Sequence, residues 1–170
     1  MGDSVVTLRP ATGHDIPGFV ALGRAVVPPT YGPIDAAYAQ RMIDEWWTPE
    51  VFTRSMQTNT HLVAEADGEV VALANLGRLS RSYRAFPHVT DDREVMWKLY
   101  VHPDHQGRGI GGRLLAEIES LVEGDELWLE VVDGNDAAFA FYRAHGFEEV
   151  ERVADDEWPD DVWMKKVLAR

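Results

Sequence analysis

The sequence contains no cysteine. That excludes disulfides, thiolate metal sites and any mechanism in which a cysteine sulfur carries an acyl group covalently. No apolar run approaches the roughly 20 residues that a membrane-spanning helix needs. The opening residues, MGDSVVTLRP, place an aspartate early and lack a basic region followed by an apolar stretch, so no secretory signal is expected and the expected location is cytoplasmic. Basic residues are scarce: 16 Lys and Arg against 29 Asp and Glu give a formal net charge of -13. A field of that sign repels nucleic acid and anionic membrane and favours the approach of cations, although an acidic surface also serves solubility alone. Internal repeats and low-complexity stretches are missing too. What is left is 170 residues, 45% hydrophobic and 26% charged, which suits one domain with a single sizeable core.

The most informative stretch is Glu94 to Leu115, EVMWKLYVHPDHQGRGIGGRLL. It begins as a β-rich run ending at Tyr100-Val101, breaks at Pro103 and crosses glycines at 107, 109, 111 and 112. Helical spacing resumes at Leu114, Leu115, Ile118, Leu121 and Val122. Strand, tight loop and helix in that order aim several backbone N–H groups into one concavity at a helix N-terminus, where a phosphate binds well. Gly107, Gly109 and Gly112 fit a dinucleotide-binding fingerprint, with Glu130 near its acidic position, but His102 to Gln106 intervene between strand and glycines. A P-loop fits less well, because no Gly-Lys-Ser/Thr follows. A glycine-rich turn that binds nothing is the remaining alternative.

The run resembles the acetyl-CoA signature of the GNAT superfamily of N-acetyltransferases. Gln106, Gly109 and Gly111 meet its Q/R-x-x-G-x-G/A pattern, and LYVHPDHQ is similar to the usual lead-in. A second segment, Asn135 to Phe147 (NDAAFAFYRAHGF), resembles the later family motif in which an Asn opens a helix and a Tyr precedes a Gly-Phe pair. TLRPATGHDI looks like the family's first strand and helix, so the resemblance spans nearly the whole chain. It implies an α/β fold with a mixed, mostly antiparallel sheet of six to seven strands flanked by about four helices. It also implies strands four and five that splay apart around the cofactor arm, and acetyl-CoA as co-substrate without a metal. His102, Asp104 and His105 match a lead-in that binds none.

The residues that the resemblance points to are specific. Gln106, Gly107, Arg108, Gly109, Ile110 and Gly111 would hold the pyrophosphate, with Arg108 adding charge at the rim. Leu99, Tyr100 and Val101 would bond pantetheine amides through their backbones, and Asn135 would cap a helix and contact the cofactor. Tyr142 matches the general acid: at an ordinary value near 10 a tyrosine stays protonated at neutral pH, yet it can donate to a thiolate of roughly 8.5. Glu94 lies where relatives often keep a carboxylate base, and strand alternation puts it on the face of Met96, Lys98 and Tyr100. Tyr31, Trp46, Trp47 and Trp158, beside the carboxylates of residues 155–161, would form the acceptor pocket. Aromatics with carboxylates suit a small cationic amine. Other readings are acetylation of a protein N-terminus or lysine, and a noncatalytic acyl-CoA-binding module. Strand or helix edges in this architecture often pair, which leaves a homodimer open.

Around these segments the sequence predicts a first strand over Val5 to Arg9 and a helix carrying Ile16, Phe19 and Val20 inward. An irregular connection follows at Pro28, Pro29, Gly32 and Pro33. A second helix has Tyr38, Met42 and Trp46 on one face, and Thr48-Pro49 starts another. His61 to Leu76 reads as a hairpin about Asp67-Gly68. The polar, arginine-rich segment 77–92, with Arg78, Arg81 and Arg84, reads as a loop or ragged strand end. Leu127 to Val132 reads as a strand buried on both faces, and two closing strands follow the helix after Asn135.

Overall fold

A computed structural model describes residues 4–79 and 92–169, so Arg81 and Arg84 lie outside the described residues. Its strands are β1 (Val6–Pro10), β2 (Thr60–Ala66), β3 (Glu69–Arg78), β4 (Glu94–Val101), β5 (Glu126–Val132), β6 (Glu148–Val153) and β7 (Asp161–Val167). They form one sheet in the order β1-β2-β3-β4-β5-β7-β6, antiparallel throughout except for β4 beside β5. The helices are α1 (Ile16–Tyr31), α2 (Ala36–Arg41), α3 (Pro49–Thr58), α4 (Ile110–Leu121) and α5 (Asp136–Ala144), with a π-helical turn over Met42–Trp46 after α2. The mixed sheet of the sequence reading is therefore observed. Among the described residues no helix is long and apolar enough to cross a membrane.

Local sequence explains most boundaries. Asp67 and Gly68 both adopt positive φ, 53° and 82°, the geometry of the tight turn that matches the twist of a β-hairpin. The side chain of Asp35 accepts from the Tyr38 amide at 2.9 Å, Thr48 from Val51 at 3.3 Å and Asn135 from Ala138 at 3.2 Å, so α2, α3 and α5 each start on a side-chain cap. Ile110, Leu114, Leu115 and Ile118 of α4 recur on one face and are buried against one side of the sheet, together with Phe139 and Tyr142 of α5. Each such burial stabilises the fold by about 1.5–3 kcal/mol. Phe19, Leu22 and Val26 of α1, with Tyr38 of α2 and Phe52 of α3, cover the other side.

Three features differ from the sequence reading. Helix α1 continues through Pro28 and Pro29 to Tyr31. The prolines withdraw two N–H donors from its last turns, but buried Val26, Val27 and Tyr31 hold that face to the core, and the Gly32 amide closes on the Pro28 carbonyl at 2.9 Å. Strand β5 is buried on both faces only at its end: Leu127, Leu129 and Val131 point into one core and Val132 into the other, whereas Trp128 and Glu130, on the face of Val132, are half-buried. Strand β4 carries a bulge, because Asn75 pairs with Lys98 and Leu76 with Met96, which leaves Trp97 as an extra residue. That residue reverses the alternation. Met96 faces α4, while Lys98 and Tyr100 face the α1–α3 side.

Candidate active site

Strands β4 and β5 touch in register only at Val95 and Trp128. Beyond that point β5 follows β7 and β4 follows β3, so the two part like the arms of a V. The edge of β4 facing β5 then runs without a strand partner among the described residues, and it borders a cavity of about 790 Å³. Leu99, Tyr100 and Val101 lie along that edge, as the sequence reading requires.

At the end of β4 a 3-10 turn over Pro103–His105 leads to Gly107 and Gly109, whose φ values of 75° and 74° are left-handed. A side chain there would be strained, and a Cβ on either glycine would meet nothing within 4 Å, so the loop is bare where it faces the cavity. Gly109 is the N-cap of α4, and no side chain caps that terminus. The first amides of α4 therefore point into the cavity mouth with the positive end of the helix dipole behind them, an arrangement that fits a diphosphate. Gln106 and Gly111 border this mouth with Ile110, whose side chain is in the core. Gln106 spans the turn by donating from Nε2 to the Val101 carbonyl at 3.1 Å. Arg108 does not line the cavity: its guanidinium donates to the Ser4 carbonyl at 3.0 Å and lies 3.1 Å from His105 Nδ1, which ties the loop to the start of β1.

Helix α5 delivers Tyr142 to the opposite wall, and β5 delivers Glu130. The Tyr142 ring packs against Phe141 and Phe147, with ring centroids 5.3 and 5.5 Å apart. Burial pushes its hydroxyl well above the ordinary tyrosine value, so it keeps its proton at neutral pH. Burial likewise raises Tyr31 and Tyr100, whose hydroxyls are 2.8 Å apart. Glu130 borders both the large cavity and a smaller one of about 100 Å³ beneath α3, so its carboxylate stands where the two meet. The sequence reading gives Glu130 only as a near match to the acidic position of a dinucleotide fingerprint and does not single out this lone carboxylate inside the apolar run LWLEVV.

Glu94 requires a correction. It lies before the β4 bulge, so its side chain does not share a face with Lys98 and Tyr100, and it borders none of these cavities. Its carboxylate is buried at the end of α4, accepting from the Glu123 amide at 3.0 Å and the Gly124 amide at 2.7 Å, with Arg78 at 3.8 Å. This is a structural role. Glu94→Gln is expected to lower stability by about 1–3 kcal/mol, the usual cost of weakening buried charge-assisted hydrogen bonds, with kcat nearly unchanged. Urea denaturation beside steady-state kinetics measures both, and a large loss of kcat at unchanged stability would return Glu94 to the chemistry.

On the acceptor side Tyr38, Trp46 and Trp158 come together with Asp155 and Asp161 around a third cavity of about 220 Å³. Of the four aromatics expected to form the acceptor pocket only Trp46 and Trp158 meet here, and the chain's own Arg41 lies against them, with its guanidinium 4.8 Å from the Trp158 ring centroid and 5.6 Å from that of Trp46. Asp155 is turned inward on its loop, accepting from the Glu157 and Trp158 amides at 2.8 and 2.9 Å. Tyr31 lines both of the first two cavities. Trp47 lines none of them. It is 2% exposed and packs edge-on to Tyr100 and Phe52, close over Gly23 of α1, where a Cβ would come within 2.4 Å of its ring.

Known proteins are similar to this chain in sequence and in fold. The sequence is 36% identical over 134 residues to the N-alpha-acetyltransferase RimI of Mycobacterium tuberculosis, covering 72% of this chain and 80% of that protein. The fold is similar to the crystal structure of PaiA N-acetyltransferase from Thermoplasma acidophilum in complex with coenzyme A, with a TM-score of 0.77 at 22% identity over 96% of this chain and 99% of that one. It is also similar to the ribosomal-protein-alanine N-acetyltransferase of Brucella melitensis, with a TM-score of 0.65 at 27% identity over 95% and 99% of the two chains. Residues 25–147, from the middle of α1 to the start of the last hairpin, match the acetyltransferase (GNAT) family. The bare loop at the head of α4 and the parted strands lie within the matched residues, and the chain belongs to the GNAT acetyltransferase family.

Proposed function

We propose that the chain moves an acetyl group from acetyl-CoA to the α-amine of a peptide or protein N-terminus. The bare loop from Gln106 to Gly111 would hold the diphosphate by main-chain N–H groups. The peptide-like pantetheine arm would then lie along the free edge of β4 at Leu99, Tyr100 and Val101, as an added strand does. Acetyl-CoA supplies the acyl group and departs as a thiolate. Glu130 takes a proton from the incoming ammonium, which makes its nitrogen nucleophilic, and Tyr142 returns a proton to the departing sulfur. Asn135 caps α5 by accepting from the Ala138 amide, and Tyr31 is held by its hydroxyl contact with Tyr100, so both keep the intervening wall ordered.

The observation that carries this reading is the placement of Glu130 and Tyr142 on two elements that border one cavity, with Glu130 shared by the acceptor chamber. The peptide acceptor is supported by the relatives, whose names specify N-alpha or ribosomal-protein-alanine acetylation. It is also supported by the small volume beyond Glu130, about 100 Å³, which has room for one side chain but not for a bulky polyamine. A small free cationic amine draws on the acidic rim at Asp155 and Asp161, but Arg41 already occupies the aromatic site such a cation would use. Because a base must be unprotonated, the wild-type rate is expected to fall on the acid side. Glu130→Gln is expected to cut kcat at least about tenfold and to abolish that acid-side fall, with acetyl-CoA affinity within about threefold. A pH–rate profile indistinguishable from wild type would remove Glu130 from the mechanism.

A further inference from the structure

Arg41 takes no part in the transfer chemistry above, yet the chain holds its head in a defined place. The π-helical turn after α2 closes with the Trp47 amide on the Met42 carbonyl at 3.1 Å, a bond between residues five apart. In an α-helix residues five apart lie about 140° from each other around the axis, and the wider turn brings them toward one face. Arg41 and Trp46 are five apart, and the guanidinium accordingly lies 5.6 Å from the Trp46 ring centroid. Such turns are rare and gather at functional sites. The Trp158 ring stands closer, 4.8 Å from the guanidinium, and is braced by Tyr38 with ring centroids 6.0 Å apart. Arg41 Nε donates to Glu45 at 2.9 Å, and Glu157 and Asp155 add negative charge nearby.

The third cavity, which Arg41 borders, shares Tyr38, Trp46 and Asp161 with the chamber beneath α3, and that chamber shares Glu130 with the large cavity. A peptide whose amine meets Glu130 would therefore run outward along these shared walls, past Arg41. A cationic side chain passing there would seek the neighbours that Arg41 has, the face of a tryptophan with carboxylates beside it. Arg41 holds that place already. Its charge is retained at every ordinary pH and repels a second cation.

We infer that Arg41 is a specificity-determining residue: its guanidinium takes the place over Trp158 and beside Glu45 that a lysine or arginine at the second or third position of the acceptor would enter, and so turns such acceptors away. The inference rests on the N-terminal acetyltransferase reading. Trimming Arg41 removes the ion-pair partner of Glu45 and uncovers the Trp158 face, so the vacated place suits the cation that the wild type refuses. The exposed Arg41–Glu45 pair adds little to stability, so the fold has little reason to respond.

Peptides identical except for lysine, or its uncharged counterpart norleucine, at position 2, 3 or 6 test this, with CoA release giving kcat/KM for each. In the wild type, lysine is expected to be no better than norleucine at positions 2 and 3. In Arg41→Ala the lysine-to-norleucine ratio is expected to rise at least about fivefold at position 2 or 3 and by less than about twofold at position 6, beyond reach of the cage. Arg41→Lys restores the charge and is expected to hold the ratio within about threefold of the wild type, with thermal melting as the check on folding. A wild-type preference for lysine of about tenfold at position 2 or 3 overturns the inference while leaving the transfer reading intact. A ratio that alanine leaves unchanged does the same, as does an equal rise at all three positions, the mark of long-range charge alone. Transfer to free amines but to no peptide overturns the N-terminal reading, and no CoA release with any acceptor overturns the transfer itself.

Discussion

Gly109→Glu is expected to reduce acetyl-CoA affinity at least a hundredfold in calorimetric titration while the protein stays folded. Gly109 has φ of 74°, so a residue with a Cβ pays roughly 1–2 kcal/mol of backbone strain there. A Cβ nevertheless meets nothing within 4 Å, so the new side chain has room and the core is untouched. What it adds is a carboxylate at the mouth of the amide cradle, where the diphosphate would lie. Two like charges about 4 Å apart repel by about 1 kcal/mol in water and about 4 kcal/mol near a protein surface, and a diphosphate carries more than one charge. Gly109→Ala separates the two contributions: it keeps the strain without the charge and should lose much less affinity. Normal affinity in a folded Gly109→Glu protein would mean that the diphosphate lies elsewhere.

Tyr142→Phe is expected to lower kcat by roughly 10- to 100-fold, with KM for acetyl-CoA nearly unchanged. The substitution removes one hydroxyl and keeps the ring that packs between Phe141 and Phe147, so the fold has little reason to respond. A thiolate near 8.5 is a poor leaving group without a proton, and the phenol supplies one. Burial raises the Tyr142 hydroxyl, and a raised acid keeps its proton to higher pH. Loss of the acid form should therefore cause no decline in rate below about pH 10, the ordinary tyrosine value. A decline of that origin at pH 8–9, or full turnover by the phenylalanine variant, would mean that another group serves as the acid.

Much of this was legible in the chain. Turns and caps are written in one or two residues each, so the Asp67-Gly68 hairpin, the Thr48-Pro49 start of α3 and the Asn135 cap of α5 could be read directly. The loop from Gln106 to Gly111 was legible for the same reason, since positive φ demands glycine. Glu94 misled because strand alternation assumes an unbroken pleat, and the bulge at Trp97 is set by pairing with β3, far away in sequence. Trp46 and Trp47 are neighbours, yet they point to opposite environments because the π-helical turn ends between them. Arg41 could not be seen as the occupant of the aromatic box, since Trp158 arrives there from the far end of the chain. Glu130 was hidden in an apolar run whose outer face is covered only in part.

The central claim is that the amides at the head of α4 and the free edge of β4 together form a coenzyme A site. Calorimetric titration of the wild-type protein with acetyl-CoA tests it most directly. The account predicts saturable binding of one acetyl-CoA per chain, with Kd inside the roughly 1 µM to 1 mM span usual for enzyme substrates. Heat that never saturates at millimolar acetyl-CoA would contradict it.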